Sequence, residues 1–215
     1  MFLRTHDMLV KYTKATATLC FYTLLAVYCL SVINITLANE WGLEKQKLEH
    51  DKCDSIILHY DGKVWNTVYH GFNMWLNDIF GFDDNDIFAI GKHGAILHYN
   101  GKSWEEQNSG TTNWLYGVWG TDTNNVFIVG TDGIILHYDG TRWSNHASNT
   151  TNWLRAIWGI DKNNIISVGD NGTILYYDGA KWIKHKSVTN YLLLGIWGNR
   201  KDNIYVVGYN PESHH

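Results

Sequence analysis

The sequence predicts an all-β chain, a β-propeller of four-stranded antiparallel blades, and three observations predict it. First, one phrase recurs at a constant 39-residue step: Ile57-Leu58-His59-Tyr60-Asp61-Gly62, Ile96-Leu97-His98-Tyr99-Asn100-Gly101, Ile135-Leu136-His137-Tyr138-Asp139-Gly140 and Ile174-Leu175-Tyr176-Tyr177-Asp178-Gly179. Trp65, Trp104, Trp143 and Trp182 close the copies, and a fixed period of this length marks a repeat array. Second, Asp-Gly or Asn-Gly after a short apolar run is a β-hairpin signal, here read as a type I′ turn with two residues at positive φ. Third, no part of the unit spaces its apolar residues at 3.6, and its Gly, Asn and Asp fall between strands, where turns need them.

Residues 1–38 differ in kind from the rest. Arg4, Lys11 and Lys14 precede an uncharged stretch from Ala15 to Ala38, the pattern of a secretion signal with a small-residue cleavage site after Ala38. The stretch is also long enough to span a bilayer, so an uncleaved anchor helix is the alternative. Either way the repeats are expected outside the cell membrane, whether periplasmic, cell-surface or secreted, with membrane contact only through residues 15–38 if uncleaved. Cys20 and Cys29 lack the small residues of a lipoprotein site before them. Residues 39–55, with Leu43-Glu44-Lys45-Gln46-Lys47-Leu48-Glu49, read as a charged leader. Trp41-Gly42 stands one repeat before Phe80-Gly81, so a degenerate half-blade is a second reading of that segment.

Residues 56–209 hold the repeats, and 210–215 form a tail. Ahead of each hairpin lies an inner pair of strands, as in Trp114-Leu115-Tyr116-Gly117-Val118-Trp119-Gly120, a polar turn, and Val126-Phe127-Ile128-Val129-Gly130. Its counterparts begin at Trp75, Trp153 and Leu192. Four strands per unit fit a propeller blade. Because the chain opens on an outer hairpin (57–65) and ends on an inner pair (192–208), the expectation is four blades closed by pairing the N-terminal hairpin with the C-terminal strands. The alternative is part of a larger ring with unpaired edges.

Composition narrows the partners. Of 17 Lys and Arg and 21 Asp and Glu, the leader holds Arg4, Lys11, Lys14 and Asp7, leaving an acidic excess that disfavours nucleic acid and anionic membranes. With the leader removed Cys53 is the only cysteine, so no intramolecular disulfide is expected. One Pro and no Ser/Gly-rich tract argue for one domain without linkers.

Taken together, Trp-Gly, a polar turn, a strand ending Val-Gly, and Gly-x-Ile-Leu-His-Tyr-Asp-Gly-x-x-Trp resemble the repeat of exported bacterial β-propellers. That repeat is related to the Asp-box or BNR-like blades of sialidases and of photosystem II assembly-factor propellers. The resemblance covers residues 56–208 and implies that Asp61, Asn100, Asp139 and Asp178 are structural turn residues. The spacing departs from an Asp box, with three residues between Asp61 and Trp65. It implies no catalytic residue: a sialidase needs an arginine cluster, and the exported part has Arg142, Arg155 and Arg200 alone. Nor is the arginine-rich patch associated with the assembly factors present.

Positions that differ between copies are free to serve a site. His59, His98 and His137 are symmetric equivalents, too far apart across blades to share a metal ion, and Tyr176 replaces them in the fourth copy. Asp83-Asp84-Asn85-Asp86 could hold Ca²⁺ but reads as an Asx turn. The candidate binding residues are Trp75, Trp114 and Trp153 at the openings of the innermost strands, with Asn77, Tyr116, Arg155 and Asp78 just after them. Inter-blade packing is the other reading of the three indoles. No cofactor, metal or catalytic residue is expected. The function read from this is an exported, non-enzymatic scaffold that binds a protein partner; the alternative is a lectin-like carbohydrate-binding module or a remnant, sialidase-like glycosidase. Glycoside hydrolysis would need a second carboxylate beside Asp78, and exposure of the indoles is the discriminating feature.

Overall fold

The computed structural model describes residues 54–72 and 74–212, and every expectation on residues 1–38 and nearly all of 39–55 lies outside them. Among these residues sixteen strands make three complete four-stranded antiparallel sheets and two half-sheets. The first half is the hairpin β1 (Ser55–Tyr60) and β2 (Trp65–Gly71). Blade one is β3 (Leu76–Asp83), β4 (Asp86–Gly91), β5 (Ile96–Tyr99) and β6 (Trp104–Glu106). Blade two is β7 (Leu115–Asp122), β8 (Asn125–Gly130), β9 (Ile135–Tyr138) and β10 (Trp143–Asn145). Blade three is β11 (Leu154–Asp161), β12 (Asn164–Gly169), β13 (Ile174–Tyr177) and β14 (Trp182–Lys184). The last half is β15 (Leu192–Arg200) with β16 (Asn203–Tyr209).

The outer hairpin turns differ from the expectation in one respect. Gly62, Gly101, Gly140 and Gly179 have φ of 93°, 84°, 90° and 94°, but no residue after them has positive φ, which excludes a type I′ turn. The second positive φ is unnecessary because the residue before each glycine caps the turn. Asp139 Oδ1 accepts the amides of Thr141 and Arg142, both at 2.9 Å. Asp61, Asn100 and Asp178 accept the same pair of amides in their own turns. The repeated Asp is thus a turn residue.

The core lies between blades. Phe88, Ile90 and Ile96 of blade one pack on Leu115, Val118 and Ile128 of blade two, and Phe127, Val129 and Ile135 pack on Leu154, Ile157 and Ile165 of blade three. Strands covered on both faces need no polar alternation, and all of β8 except Asn125 is buried. The Trp-Gly pairs interlock the series. The Trp119 indole sits over Gly159, and the Trp158 indole over Gly198, where a β-carbon would collide with the ring. The glycine ending the second strand of each complete blade is required for another reason: a β-carbon on Gly91, Gly130 or Gly169 would overlap the carbonyl oxygen of Trp75, Trp114 or Trp153.

The expected clasp between the chain's two ends is not formed. The strand order keeps β1–β2 and β15–β16 as separate two-stranded sheets. Their placement explains why. Through Ile57 the hairpin packs on Ala89 and Leu97 of blade one, as the outer half of a preceding blade would. The inner strands neighbour one another in series, β3 on β7, β7 on β11 and β11 on β15. Among the described residues, three complete blades therefore stand between two half-sheets.

Candidate functional site

The residue after the glycine that ends each second strand is tied to the indole residue opening the neighbouring inner strand. Lys92, Thr131 and Asp170 each donate a backbone N–H to the carbonyl of Trp75, Trp114 and Trp153, at 2.9 Å in all three blades. Those three side chains differ between copies, so each blade decorates its indole differently.

Lys92 Nζ lies 3.2 Å from the centre of the Trp75 ring and 4.0 Å from that of Trp114, so one ammonium is held against indoles of two blades. Next along the row, Trp114 and Tyr116 meet edge to face at 6.4 Å, and Tyr116 lies 6.0 Å from Trp153. The Arg155 guanidinium closes this second group, 4.9 Å from the Tyr116 ring and 4.7 Å from that of Trp153. A cation over an aromatic face is attracted by the ring quadrupole, by about 0.5–1 kcal/mol at exposed sites and more when desolvated. Asp170 fixes Arg155 with two bonds, Nε to Oδ1 at 2.7 Å and Nη2 to Oδ2 at 3.1 Å. Burial opposes the Arg155 charge, yet Asp170 outweighs it and holds the guanidinium pKa above its ordinary value. Burial raises the Tyr116 hydroxyl pKa, with Arg155 opposing.

Five of the seven candidate residues are therefore brought together: Trp75, Trp114, Trp153, Tyr116 and Arg155. The other two are placed between blades. The Asn77 side-chain amide donates to the Leu115 carbonyl at 2.8 Å. The Asp78 carboxylate accepts the amides of Ile79 at 2.9 Å and Val118 at 3.0 Å. Burial pushes the Asp78 pKa up, partly offset by those two bonds. Lys92 and Asp170 were missed by the sequence reading. Their signal was available, since the position following the glycine that ends each second strand reads Lys92, Thr131, Asp170 and then Tyr209.

The indoles are neither sealed nor open platforms. Trp75 and Trp114 are half-buried, Trp153 is 38% exposed, and ring faces that a sugar would stack on carry Lys92 and Arg155. The histidine series is structural: His98 Nε2 bonds Asp86 Oδ1 at 2.6 Å, His137 Nε2 bonds Asn125 Oδ1 at 2.7 Å, and the Tyr176 hydroxyl meets Asn164 Oδ1. In the acidic turn, Asp83 Oδ1 accepts the Asn85 amide at 2.7 Å, as an Asx turn does. Among the described residues no group of three or more His, Cys, Asp or Glu is placed to hold a metal. Beside the row, an open cleft of about 400 Å³ runs past Phe72, Met74, Lys92 and Ser109.

Comparison with solved structures adds the architecture. The fold resembles that of YCF48. A structure described as YCF48 bound to a D1 peptide superposes with a TM-score of 0.50 at 16% identity, over 64% of this chain and 50% of that one. YCF48 from Cyanidioschyzon merolae superposes with a TM-score of 0.49 at 16% identity, over 64% of this chain and 54% of that one. The chain thus spans about half the length of these YCF48 structures. At this identity the likeness to YCF48 concerns fold, and no family model or curated protein matches.

Proposed function

We propose that this chain is an exported, non-enzymatic β-propeller scaffold that docks an extended segment of a protein partner on the row Trp75–Lys92–Trp114–Tyr116–Arg155–Trp153. The observation that carries the reading is the alternation of fixed cations with aromatic rings across three inner strands. Such a row is stiff, since Asp170 pins Arg155 and the backbone pins Lys92 beside its indole. A stiff aromatic and guanidinium surface contacts peptide planes and side chains at low entropic cost. That YCF48 has been described with a bound D1 peptide supports a peptide over a small molecule. Export rests on residues 1–38, and N-terminal sequencing of protein recovered outside the cytoplasm tests it.

The second reading, a carbohydrate-binding module or remnant glycosidase, is favoured by the exposure of Trp153. The two are separated by panning a displayed random-peptide library and a glycan panel against the wild type and Trp153→Ala. Peptides enriched on the wild type and lost on the variant support docking. Saturable glycan binding with no peptide enrichment would replace it with the lectin reading.

A further inference from the structure

The two half-sheets of the described residues are complementary to each other, residue by residue. In complete blades the third strand pairs with the second in one register, Phe88 opposite His98 and Ala89 opposite Leu97, and likewise Phe127 opposite His137 and Ile128 opposite Leu136. Carried onto β16 and β1 by the repeat, that register sets Tyr205 opposite His59 and Val206 opposite Leu58. Three features of each complete blade are split between these halves.

The first is burial. Leu97, Leu136 and Leu175 are at most 2% exposed, whereas Leu58 is 46% exposed; Phe88 and Phe127 are at most 1% exposed, whereas Tyr205 is 63% exposed. The second is the hydrogen bond from the third-strand side chain to the residue opening the second strand, made by His98, His137 and Tyr176. Asn203 sets its amide on Asn199 at 2.7 Å, as Asn125 does on Thr121. That leaves Asn203 Oδ1 to receive a third-strand side chain, and among the described residues neither it nor His59 makes this bond. The third is the indole seat. Trp119 and Trp158 each cover a glycine of the following unit, while Trp197 is 58% exposed and, among the described residues, no indole covers Gly81, the equivalent glycine of blade one.

We propose that the β1–β2 hairpin of a second copy of this chain completes the β15–β16 sheet, so that the chain assembles head to tail through a joint blade. Leu58 of one copy pairs with Val206 of the other, His59 reaches Asn203, and Trp197 seats on Gly81. Two apolar strand edges that pair with no other described strand are a template for such pairing. A head-to-tail interface gives a closed ring if its rotation closes. The described residues of two copies then make six complete blades and, with two such joints, about eight, within the range propellers occupy.

The test uses two differently tagged full chains expressed together, one carrying Leu58→Cys and the other Val206→Cys, with each substitution alone as the background for the native cysteines. Co-purification of the two tags and an oxidation-dependent band of twice the chain's mass, absent with either substitution alone, are expected. Leu58→Asp and Trp197→Ala, both at sites exposed in a single copy, should each reduce co-purification at least tenfold without lowering the yield of folded chain. Failure of the tags to co-purify, co-purification indifferent to both substitutions, or a Leu58→Cys/Val206→Cys chain that links only to itself would each overturn the proposal.

Discussion

The seating of Trp119 on Gly159 allows the energetics between blades to be worked from geometry. A β-carbon at Gly159 would lie 2.5, 2.7 and 2.8 Å from three carbons of the indole six-membered ring, so the ring must shift within the cluster of Phe127, Leu154 and Ile157. Overpacking of this kind costs about 1–3 kcal/mol. Trp119→Ala removes the ring and costs about 3 kcal/mol, the lower end for such truncations because the indole is half-exposed. With the ring gone the added methyl meets no obstacle, and alanine in a strand interior is favoured over glycine by roughly 0.5–1 kcal/mol. The double variant should therefore be at least as stable as Trp119→Ala, giving a coupling of about 2 kcal/mol. Urea titrations of the four proteins, followed by far-ultraviolet circular dichroism to avoid the missing fluorophore, measure it. Additivity within about 0.5 kcal/mol would mean that the ring and glycine do not share the site.

Three further outcomes follow from the structure. The Thr141 hydroxyl first, then the amides of Arg142 and Thr141, hold the Asp139 carboxyl down to about 2. Its folded value lies below its unfolded one, so its contribution is complete above about 4 and is lost as pH falls toward 2; Thr141→Val should raise the titration midpoint seen by NMR. Burial lowers the pKa of His137, with His146 adding to the effect, and that of His146 itself. The unfolded chain then binds more protons, so stability falls as pH drops below about 6.5, and His146→Phe should flatten the melting temperature between pH 7.5 and 5. Lys92→Met should cost roughly 1 kcal/mol through the lost cation–ring attraction and alter Trp75 and Trp114 emission, read by denaturation and fluorescence against Lys102→Met.

The repeat made most of the fold legible. Hairpins, inner pairs and blade boundaries followed from the 39-residue step, because a buried apolar run and a capped turn are local features that each copy states again. Closure was not legible, since pairing of the chain's ends depends on the rotation between successive blades, which no residue records alone. The turn geometry was misread for a similar reason: Asp-Gly suggested two positive φ values, whereas the Asp139 carboxylate takes over the two amides. At the candidate site, aromatic Trp75, Trp114 and Trp153 stood out by type. Lys92, the cation on the first two indoles, and Asp170, the carboxylate that pins Arg155, did not, because Lys92 comes 17 positions after Trp75 and Asp170 comes 17 after Trp153, and a bond between backbones brings each pair together.

The side chains that break the repeat have a consequence for how the chain finds its order. Blades this alike can pair one unit out of place during folding and still bury the same leucines and phenylalanines. An arrangement that puts another unit in front of blade two, however, loses the bond of Asn77 to Leu115 and that of Asp78 to Val118, which among the described residues occur only where blade one meets blade two. The two blade-one residues act as an address that marks the unit standing in front, since every blade offers the carbonyl and the amide, whereas Gly117 and Ala156, which replace Asp78 in the later blades, have no side chain to accept the amide.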